Sequence, residues 1–139
     1  MFTNVFTTVL AITATLMAAT TASPIVAGAT PGEQSALSAG RFTYYTPGLG
    51  ACGQSHSSSE LVVALNHVDF DPYTPNGNPN NNSLCGRRIR ASYGGKSVDV
   101  TVVDRCPACN AGDLDLNPTA FQALASLDVG VIQGTWEWI

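Results

Sequence analysis

Positive charge is scarce in this chain of 139 residues, which has six Lys and Arg against ten Asp and Glu and a net charge of −4. The basic residues gather at one place only, Arg87, Arg88 and Arg90. Because affinity for a phosphate backbone comes from clustered Lys and Arg side chains, this composition argues against a nucleic-acid partner.

Long apolar runs are also missing. The most apolar stretch, within residues 1–22, is interrupted by threonines and falls short of the roughly 20 predominantly apolar residues that a membrane span needs. Small residues at its end suit signal-peptidase cleavage after Ala22, although no Lys or Arg precedes the apolar region. We predict a signal peptide over residues 1–22, a small, polar linker over 23–39 and one secreted, monomeric domain over 40–139, with no membrane partner.

Cysteine is limited to four residues, Cys52, Cys85, Cys106 and Cys109. Behind a signal peptide, four cysteines indicate two disulfides in an oxidising compartment. Three connectivities are possible, and we favour Cys52–Cys85 with Cys106–Cys109.

Neither a metal site nor a redox site is favoured by these cysteines. A zinc site would need a second closely spaced pair, and only Cys106 and Cys109 are close in sequence. His56 and His67 have no partner at ligand spacing. A thioredoxin-like motif would open a helix, whereas residues 110–112 (NAG) indicate a turn. We therefore predict no metal and no cofactor.

Short strands dominate the rest of the pattern. Residues 87–93 and 96–103 form two predicted strands joined by Gly94-Gly95, a strong hairpin signal. Further strands are predicted over residues 41–45 and 131–139, while residues 60–66 are ambiguous between a short buried helix and a strand.

One helix has a clear start. Asn117 can cap it with Pro118 at its first position. Phe121, Leu124 and Ala125 would then share one face. The arrangement of short strands with one or two small helices is typical of a compact β-barrel.

Residues 71–83 (DPYTPNGNPNNNS) are predicted to form a long surface loop, because they contain few groups that can pack. Asn81 begins a glycosylation sequon within this loop and is a candidate glycan acceptor.

Two carboxylates follow predicted strands and are the candidate chemical groups. Val98, Val100 and Val102 alternate along one strand face, and the same alternation assigns Asp104 to that face, pointing toward a barrel interior or its rim. Asp115, in a second acidic pair with Asp113, precedes the helix. The structural alternatives are that Asp104 accepts backbone hydrogen bonds and that Asp115 only precedes the positive helix end.

Several short motifs, in this order and spacing, resemble a known group. They are residues 40–45 (GRFTYY), 50–53 (GACG), 85–86 (CG), 103–106 (VDRC), 113–116 (DLDL) and 120–121 (AF). The chain resembles the six-stranded double-psi β-barrel of expansin first domains, barwin-like proteins and the rare-lipoprotein-A-like family, and within it the single-domain loosenins. The resemblance implies a mainly β fold, and the barwin-like disulfide supports the Cys52–Cys85 pair.

The resemblance also implies a site. Thr43, Asp104 and Asp115 would line a polysaccharide groove. Tyr44 and Tyr45 lie on opposite faces of a strand, so that only one of them can face the groove. Where bacterial expansins have a tyrosine this chain has Cys106, and where plant expansins read His-Phe-Asp it reads Asp-Leu-Asp at residues 113–115.

Trp136 and Trp138 share one face of the last predicted strand and could form either a sugar platform or part of the core. We favour the core, because large aromatic side chains dominate protein interiors.

The expected function is non-hydrolytic loosening of cell walls through binding of cellulose or chitin. An inverting glycosidase needs a general acid and a general base. Asp115 is a candidate acid, and the region after the first strand contains no carboxylate to serve as the base. We therefore do not assign an enzymatic activity.

Two alternative functions remain. The first is a protease inhibitor or effector resembling kiwellins and bacterial papain inhibitors, which would use residues 47–50 and 71–83. The second is a weak glycoside hydrolase or lytic transglycosylase.

Overall fold

The computed structural model describes residues 36–139. The predicted signal peptide and most of the predicted linker lie outside them. The strands are β1 (Ser38–Tyr44), β2 (Val62–Asn66), β3 (Arg88–Tyr93), β4 (Lys96–Cys106), β5 (Leu114–Leu116) and β6 (Ile132–Trp138). The helices are α1 (His67–Phe70) and α2 (Pro118–Leu124), with 3₁₀ turns at Asp71–Tyr73, Pro75–Gly77, Pro79–Asn81 and Leu127–Val129. None of the helices in this part of the chain has the length and apolarity needed to cross a membrane.

The six strands close into a barrel in the order β1-β5-β2-β4-β3-β6. The pairs β1/β5 and β2/β4 are parallel, and the other four pairs are antiparallel. Closure satisfies the strand edges that an open sheet would expose. The predicted double-psi β-barrel with two short helices is confirmed.

The predicted hairpin between β3 and β4 is confirmed. Tyr93 pairs with Lys96 across a two-residue turn. Gly94 and Gly95 both have positive φ, 57° and 79°, which is the backbone geometry that a type I′ turn requires.

The barrel interior holds one apolar core, to which every strand contributes. Its largest fully buried side chains include Trp136, Phe42, Phe70, Phe121 and Leu65. Residues 60–66, ambiguous from sequence, form the end of a loop and then β2, all five of whose residues are buried. A strand rather than a helix forms because β2 inserts between β4 and β5.

The start of α2 is as predicted. The Asn117 side chain accepts a hydrogen bond from the Ala120 N–H at 3.3 Å, and Pro118 is the first helical residue. The Asn117 amide also donates to the Ser58 carbonyl at 2.8 Å. Phe121 is fully buried on the core side of the helix.

Both predicted disulfides are present. Cys52 is bonded to Cys85, with 5.7 Å between Cα atoms, and Cys106 is bonded to Cys109, with 5.4 Å. The first bridge joins segments 33 residues apart, while the second closes a turn of only three.

The alternation along β4 does not continue to Asp104, so the predicted placement of this residue on the Val98–Val102 face is wrong. Val102 pairs with Val63, but the next residue of β2, Ala64, pairs with Asp104. Val103 is therefore the extra residue of a β-bulge. One inserted residue reverses the alternation of side chains, so Asp104 shares the face of Ala64 rather than that of Val102.

The loop of residues 71–83 is largely exposed, as predicted, but it is organised around one buried side chain. Asn82 is 4% exposed. Its amide donates to the Phe70 carbonyl at 2.7 Å and to the Thr74 hydroxyl at 2.8 Å, and its carbonyl oxygen accepts from the Leu84 N–H at 2.8 Å. The side chain thereby supplies hydrogen bonds that an irregular backbone segment would otherwise lack.

A bidentate ion pair fastens this loop to the barrel. The Arg105 guanidinium donates to both Asp71 carboxylate oxygens, at 2.6 and 2.7 Å. Asn81 is exposed in the same loop. Its glycosylation stays a prediction.

Candidate functional site

Four cross-strand partners bring the predicted carboxylates together. Thr43 of β1 pairs with Asp115 of β5, Asp115 pairs with Ala64 of β2, and Ala64 pairs with Asp104 of β4. Directly paired residues of adjacent strands project from the same side of a sheet. We call these four residues the carboxylate row.

The carboxylate row lies on the outer wall of the barrel. Its neighbours in sequence, Phe42, Leu114 and Val63, are fully buried in the central core, and successive residues of a strand point to opposite sides. Ala64 instead belongs to a second, smaller apolar cluster with Cys106 and Cys109. The β4 bulge is thus what moves Asp104 to the same wall as Asp115.

Asp104 is held in place by backbone groups. One carboxylate oxygen, Oδ1, accepts from the N–H groups of Ala51 and Arg105, both at 2.8 Å. The loop carrying Ala51 reaches the bulge because residue 50 is glycine: a Cβ on Gly50 would lie 2.4 Å from the Val103 carbonyl oxygen. Both bonds use Oδ1, so neither of them occupies Oδ2, which can accept a hydrogen bond from a ligand.

Asp115 is partly buried and interacts with both neighbours. The Thr43 hydroxyl donates to its Oδ1 at 2.7 Å. Burial raises the pKa of Asp115, and the negative charge of Asp104 raises it further, against the opposing effects of the Thr43 hydrogen bond and the positive charge of Arg41. Asp115 therefore holds a proton to higher pH than an exposed aspartate and can act as either donor or acceptor.

Tyr45 is the tyrosine that faces the carboxylates. It packs against the apolar cluster of Ala64, Cys106 and Cys109. Its hydroxyl is shielded from solvent and lies close enough to Asp104 to interact with its carboxylate. Burial, followed by the negative charge of Asp104, raises the pKa of Tyr45 far above its ordinary value. The hydroxyl therefore keeps its proton, and the neighbouring Asp104 carboxylate is the acceptor it faces.

Tyr44 points away from the carboxylate row. Its ring lies 5.0 Å from that of Phe121, and its hydroxyl donates to the Leu127 carbonyl at 3.2 Å. The expectation that only one of the two tyrosines can face the site is consistent with this arrangement.

Asp113 has a structural role. It is 6% exposed, and its carboxylate accepts from the Arg41 N–H at 2.8 Å and from the Asn110 N–H at 3.0 Å. These bonds join the turn before β5 to β1. The second acidic pair of the sequence therefore divides into one anchoring carboxylate and one, Asp115, in the carboxylate row.

The tryptophans lie away from this row. Trp136 is 2% exposed and donates to the Gly112 carbonyl at 2.8 Å, as a core residue does. Trp138 is half-buried with the Arg87 guanidinium 4.3 Å above its ring. It lines a groove of about 360 Å³ together with Tyr73.

The two histidines contact other groups. His56 Nδ1 lies 3.1 Å from the Glu60 carboxylate, and His67 Nδ1 lies 3.0 Å from the Cys109 carbonyl. Over residues 36–139 no cluster of three or more His, Cys, Asp or Glu side chains could hold a metal ion.

Sequence reasoning missed two parts of the site. The bulge at Val103 leaves no signal in an alternating pattern, because Val103 is as apolar as its neighbours. The contact of Ala51 with Asp104 joins residues 53 positions apart. The glycine at position 50 was a usable signal, since glycine often marks a close approach of backbone to backbone.

The closed six-stranded barrel with two parallel strand pairs defines a double-psi β-barrel protein. Residues 37–136 match the double-psi β-barrel family described as lytic transglycolase, and the chain belongs to that family.

Three relatives illustrate what the chain is similar to. The papain inhibitor of Streptomyces mobaraensis is 43% identical over 104 residues, 72% of this chain and 70% of the inhibitor. The solved structure of a Streptomyces papain inhibitor superimposes with a TM-score of 0.68 at 40% identity, covering 74% of this chain and 94% of that one. Expansin-like protein 1 of Dictyostelium discoideum is 29% identical over 75% of this chain, which spans only 38% of that protein.

The fold is also that of a solved expansin. A variant of Clavibacter michiganensis expansin in complex with cellohexaose superimposes with a TM-score of 0.60 at 24% identity, covering 74% of this chain and 50% of that one.

Proposed function

We propose that this protein is an extracellular polysaccharide-binding protein that holds a neutral glycan chain of cellulose or chitin on the carboxylate row and loosens cell walls without cutting the chain. The observation that carries the proposal is the alignment of Thr43, Asp115 and Asp104 on one outer wall.

The chemistry of the row suits sugar hydroxyls. A hydroxyl group both donates and accepts hydrogen bonds. Asp104 Oδ2 can accept a hydrogen bond from a sugar hydroxyl, and Asp115 can accept one when it is ionised or donate one when it is protonated. By exchanging these bonds with one glucan chain, the protein would lower the free energy of separating that chain from its neighbours. The expansin with bound cellohexaose shares the fold.

The non-cutting part of the proposal rests on where the possible bases lie among the described residues. Asp115 is suited to the role of general acid, but hydrolysis by inversion also needs a carboxylate that activates water on the opposite side of the sugar. Asp104 lies on the same outer wall as Asp115 rather than opposite it, and Asp113 is engaged by Arg41 and Asn110. General base catalysis contributes about 10²–10⁴-fold to rates.

Secretion is part of the same proposal. Two disulfides within the described residues are typical of an oxidising compartment. The predicted signal peptide would provide the route.

Replacing Asp115 with alanine tests the site. A hydrogen bond to a charged group contributes roughly 1.5–3 kcal/mol, so Asp115→Ala should weaken binding to insoluble cellulose or chitin by about 10–100-fold. The measurement is a depletion isotherm with folded protein. Asp99→Ala is the matched control, because this β4 carboxylate pairs only with exposed Arg88 and Arg90.

Two outcomes would contradict the proposal. Unchanged binding by a folded Asp115→Ala protein would remove the site. Release of reducing ends or anhydro-sugars from cellulose, chitin or peptidoglycan by the purified protein would remove its non-cutting part and favour the activity that names the family.

A second candidate function, inhibition of a papain-like protease, is favoured by the papain inhibitor relatives, which match this chain over most of their own length. The contact would then lie on the loops of residues 47–50 and 71–83. Leu49, in the first loop, is 76% exposed, the highest exposed fraction among the exposed large apolar side chains of the described residues, and is accessible to a partner.

Titration of papain with the purified protein distinguishes the two functions. If the protein is an inhibitor, stoichiometric inhibition should persist in Asp115→Ala and weaken at least 10-fold in Leu49→Ser. Residual papain activity that stays at its starting value with excess protein would exclude this candidate.

A further inference from the structure

The turn between β4 and β5 connects the two carboxylates of the row. Cys106 is the last residue of β4, two positions after Asp104, and Leu114 opens β5 one position before Asp115. The position of one carboxylate relative to the other therefore depends on the shape of this turn as well as on strand pairing.

The Cys106–Cys109 disulfide belongs to the apolar cluster against which Tyr45 packs. Cys106 and Cys109 are 7% and 3% exposed and form, with Ala64, an apolar cluster separate from the central core. Since Tyr45 is not packed against the central core of the described residues, the cluster formed by Ala64 and the disulfide is its apolar support.

The rest of the turn is already anchored without the disulfide. His67 Nδ1 lies 3.0 Å from the Cys109 carbonyl, and the Asp113 carboxylate accepts from the Asn110 N–H at 3.0 Å and from the Arg41 N–H at 2.8 Å. None of these three bonds involves the Tyr45 side chain.

The length of the bridge also argues for a local role. A disulfide stabilises a fold mainly by restricting the unfolded chain, and more so for longer loops. Cys106–Cys109 spans three residues, compared with 33 for Cys52–Cys85. Its contribution to global stability is therefore the smaller of the two.

We propose that the Cys106–Cys109 disulfide is a positioning element of the glycan site: it supports Tyr45, whose buried hydroxyl lies beside Asp104 and helps to hold that carboxylate in place to accept from a sugar hydroxyl. This inference rests on the proposed glycan-binding function.

Two variants test it. Tyr45→Phe removes the hydroxyl and keeps the ring, and should weaken cellohexaose binding about 2–10-fold, the effect of losing one neutral hydrogen bond. Cys106→Ser/Cys109→Ser should weaken it at least as much, because the ring loses its support. Tyr44→Phe is the matched control, since its hydroxyl donates to the Leu127 carbonyl outside the carboxylate row, and it should bind as the unmodified protein does.

A second measurement does not depend on the glycan. Burial is the largest cause of the raised pKa of Asp115. If loss of the disulfide loosens the packing of Tyr45 and exposes Asp115 to water, the pKa of Asp115 should move down toward its ordinary value in Cys106→Ser/Cys109→Ser. Carboxyl chemical shifts followed against pH by NMR report it in the folded variant.

The outcomes separate this inference from the proposed function. Loss of binding in Asp115→Ala, with full binding and an unchanged Asp115 pKa in Cys106→Ser/Cys109→Ser, would overturn the positioning role alone. Full binding by Tyr45→Phe would do the same even if the double variant failed to fold. Full binding by Asp115→Ala would overturn the glycan site, while a lowered Asp115 pKa would still support the positioning of the row by the disulfide.

Discussion

Gly112→Ala is expected to destabilise the protein by about 2–5 kcal/mol, a large part of a typical domain stability of 5–15 kcal/mol. Its φ of +82° is a conformation that costs a non-glycine residue about 1–2 kcal/mol. A Cβ at this position would also lie 2.3 Å from the Ala39 carbonyl oxygen, a backbone atom of β1 that cannot move aside. Overpacking of this kind adds roughly 1–3 kcal/mol.

The position matters because Gly112 also joins two parts of the barrel. Its carbonyl accepts the Trp136 indole N–H at 2.8 Å, so a shift of the backbone to relieve the clash would break a buried hydrogen bond. The carbonyl of Gly112 would equally meet a Cβ on Gly40, at 2.2 Å. The two glycines thus allow β1 and the turn before β5 to touch.

Gly130→Ala is the control for this prediction. Gly130 has a similar φ of +74°, but a Cβ there meets nothing within 4 Å. It should cost only the conformational part, about 1–2 kcal/mol. The free energy of unfolding of both variants, from urea titration monitored by tryptophan fluorescence, makes the comparison. Equal losses of unfolding free energy in the two variants would show that the contact with Ala39 does not contribute to the destabilisation.

Removing the Cys52–Cys85 disulfide is expected to cost about 4 kcal/mol. The chain-entropy model assigns that amount to a bridge closing a loop of this length, and the two cysteines are 33 residues apart. Both are also packed against the central core. This loss is about a quarter to four-fifths of a typical domain stability of 5–15 kcal/mol.

The other disulfide supplies an internal comparison. The same model gives about 2 kcal/mol for a bridge between residues three apart. Urea denaturation of Cys52→Ser/Cys85→Ser should therefore show a lower midpoint than that of Cys106→Ser/Cys109→Ser. A reversed order of midpoints would contradict the assignment of global stability to the long bridge and of local positioning to the short one.

Features that depend on neighbouring residues were predictable. Gly94-Gly95 can adopt the two positive φ angles that a tight hairpin needs, and Asn117-Pro118 supplies a helix cap and a proline where no amide donor is required. Each of these features depends on the chemistry of a few adjacent residues, so each can be predicted from the sequence alone.

The loop around Asn82 shows where such reasoning ends. From composition, residues 71–83 are an exposed polar segment, and most of them are. Yet Asn82 is buried because three hydrogen bonds satisfy its amide inside the loop. A polar residue can be buried once all its groups are paired, and composition does not reveal the pairing.

The sequence by itself determined a disulfide-linked β-barrel whose carboxylates follow strands, because hydrophobic alternation, turn residues and the number of cysteines can be recognised without the structure. Only the tertiary structure decided on which wall Asp104 stands and that Tyr45, rather than Tyr44, faces it. The physical reason is the register between β2 and β4, which skips Val103. Strand pairing is a contact between distant segments, and a shift of one residue exchanges the inner and outer faces.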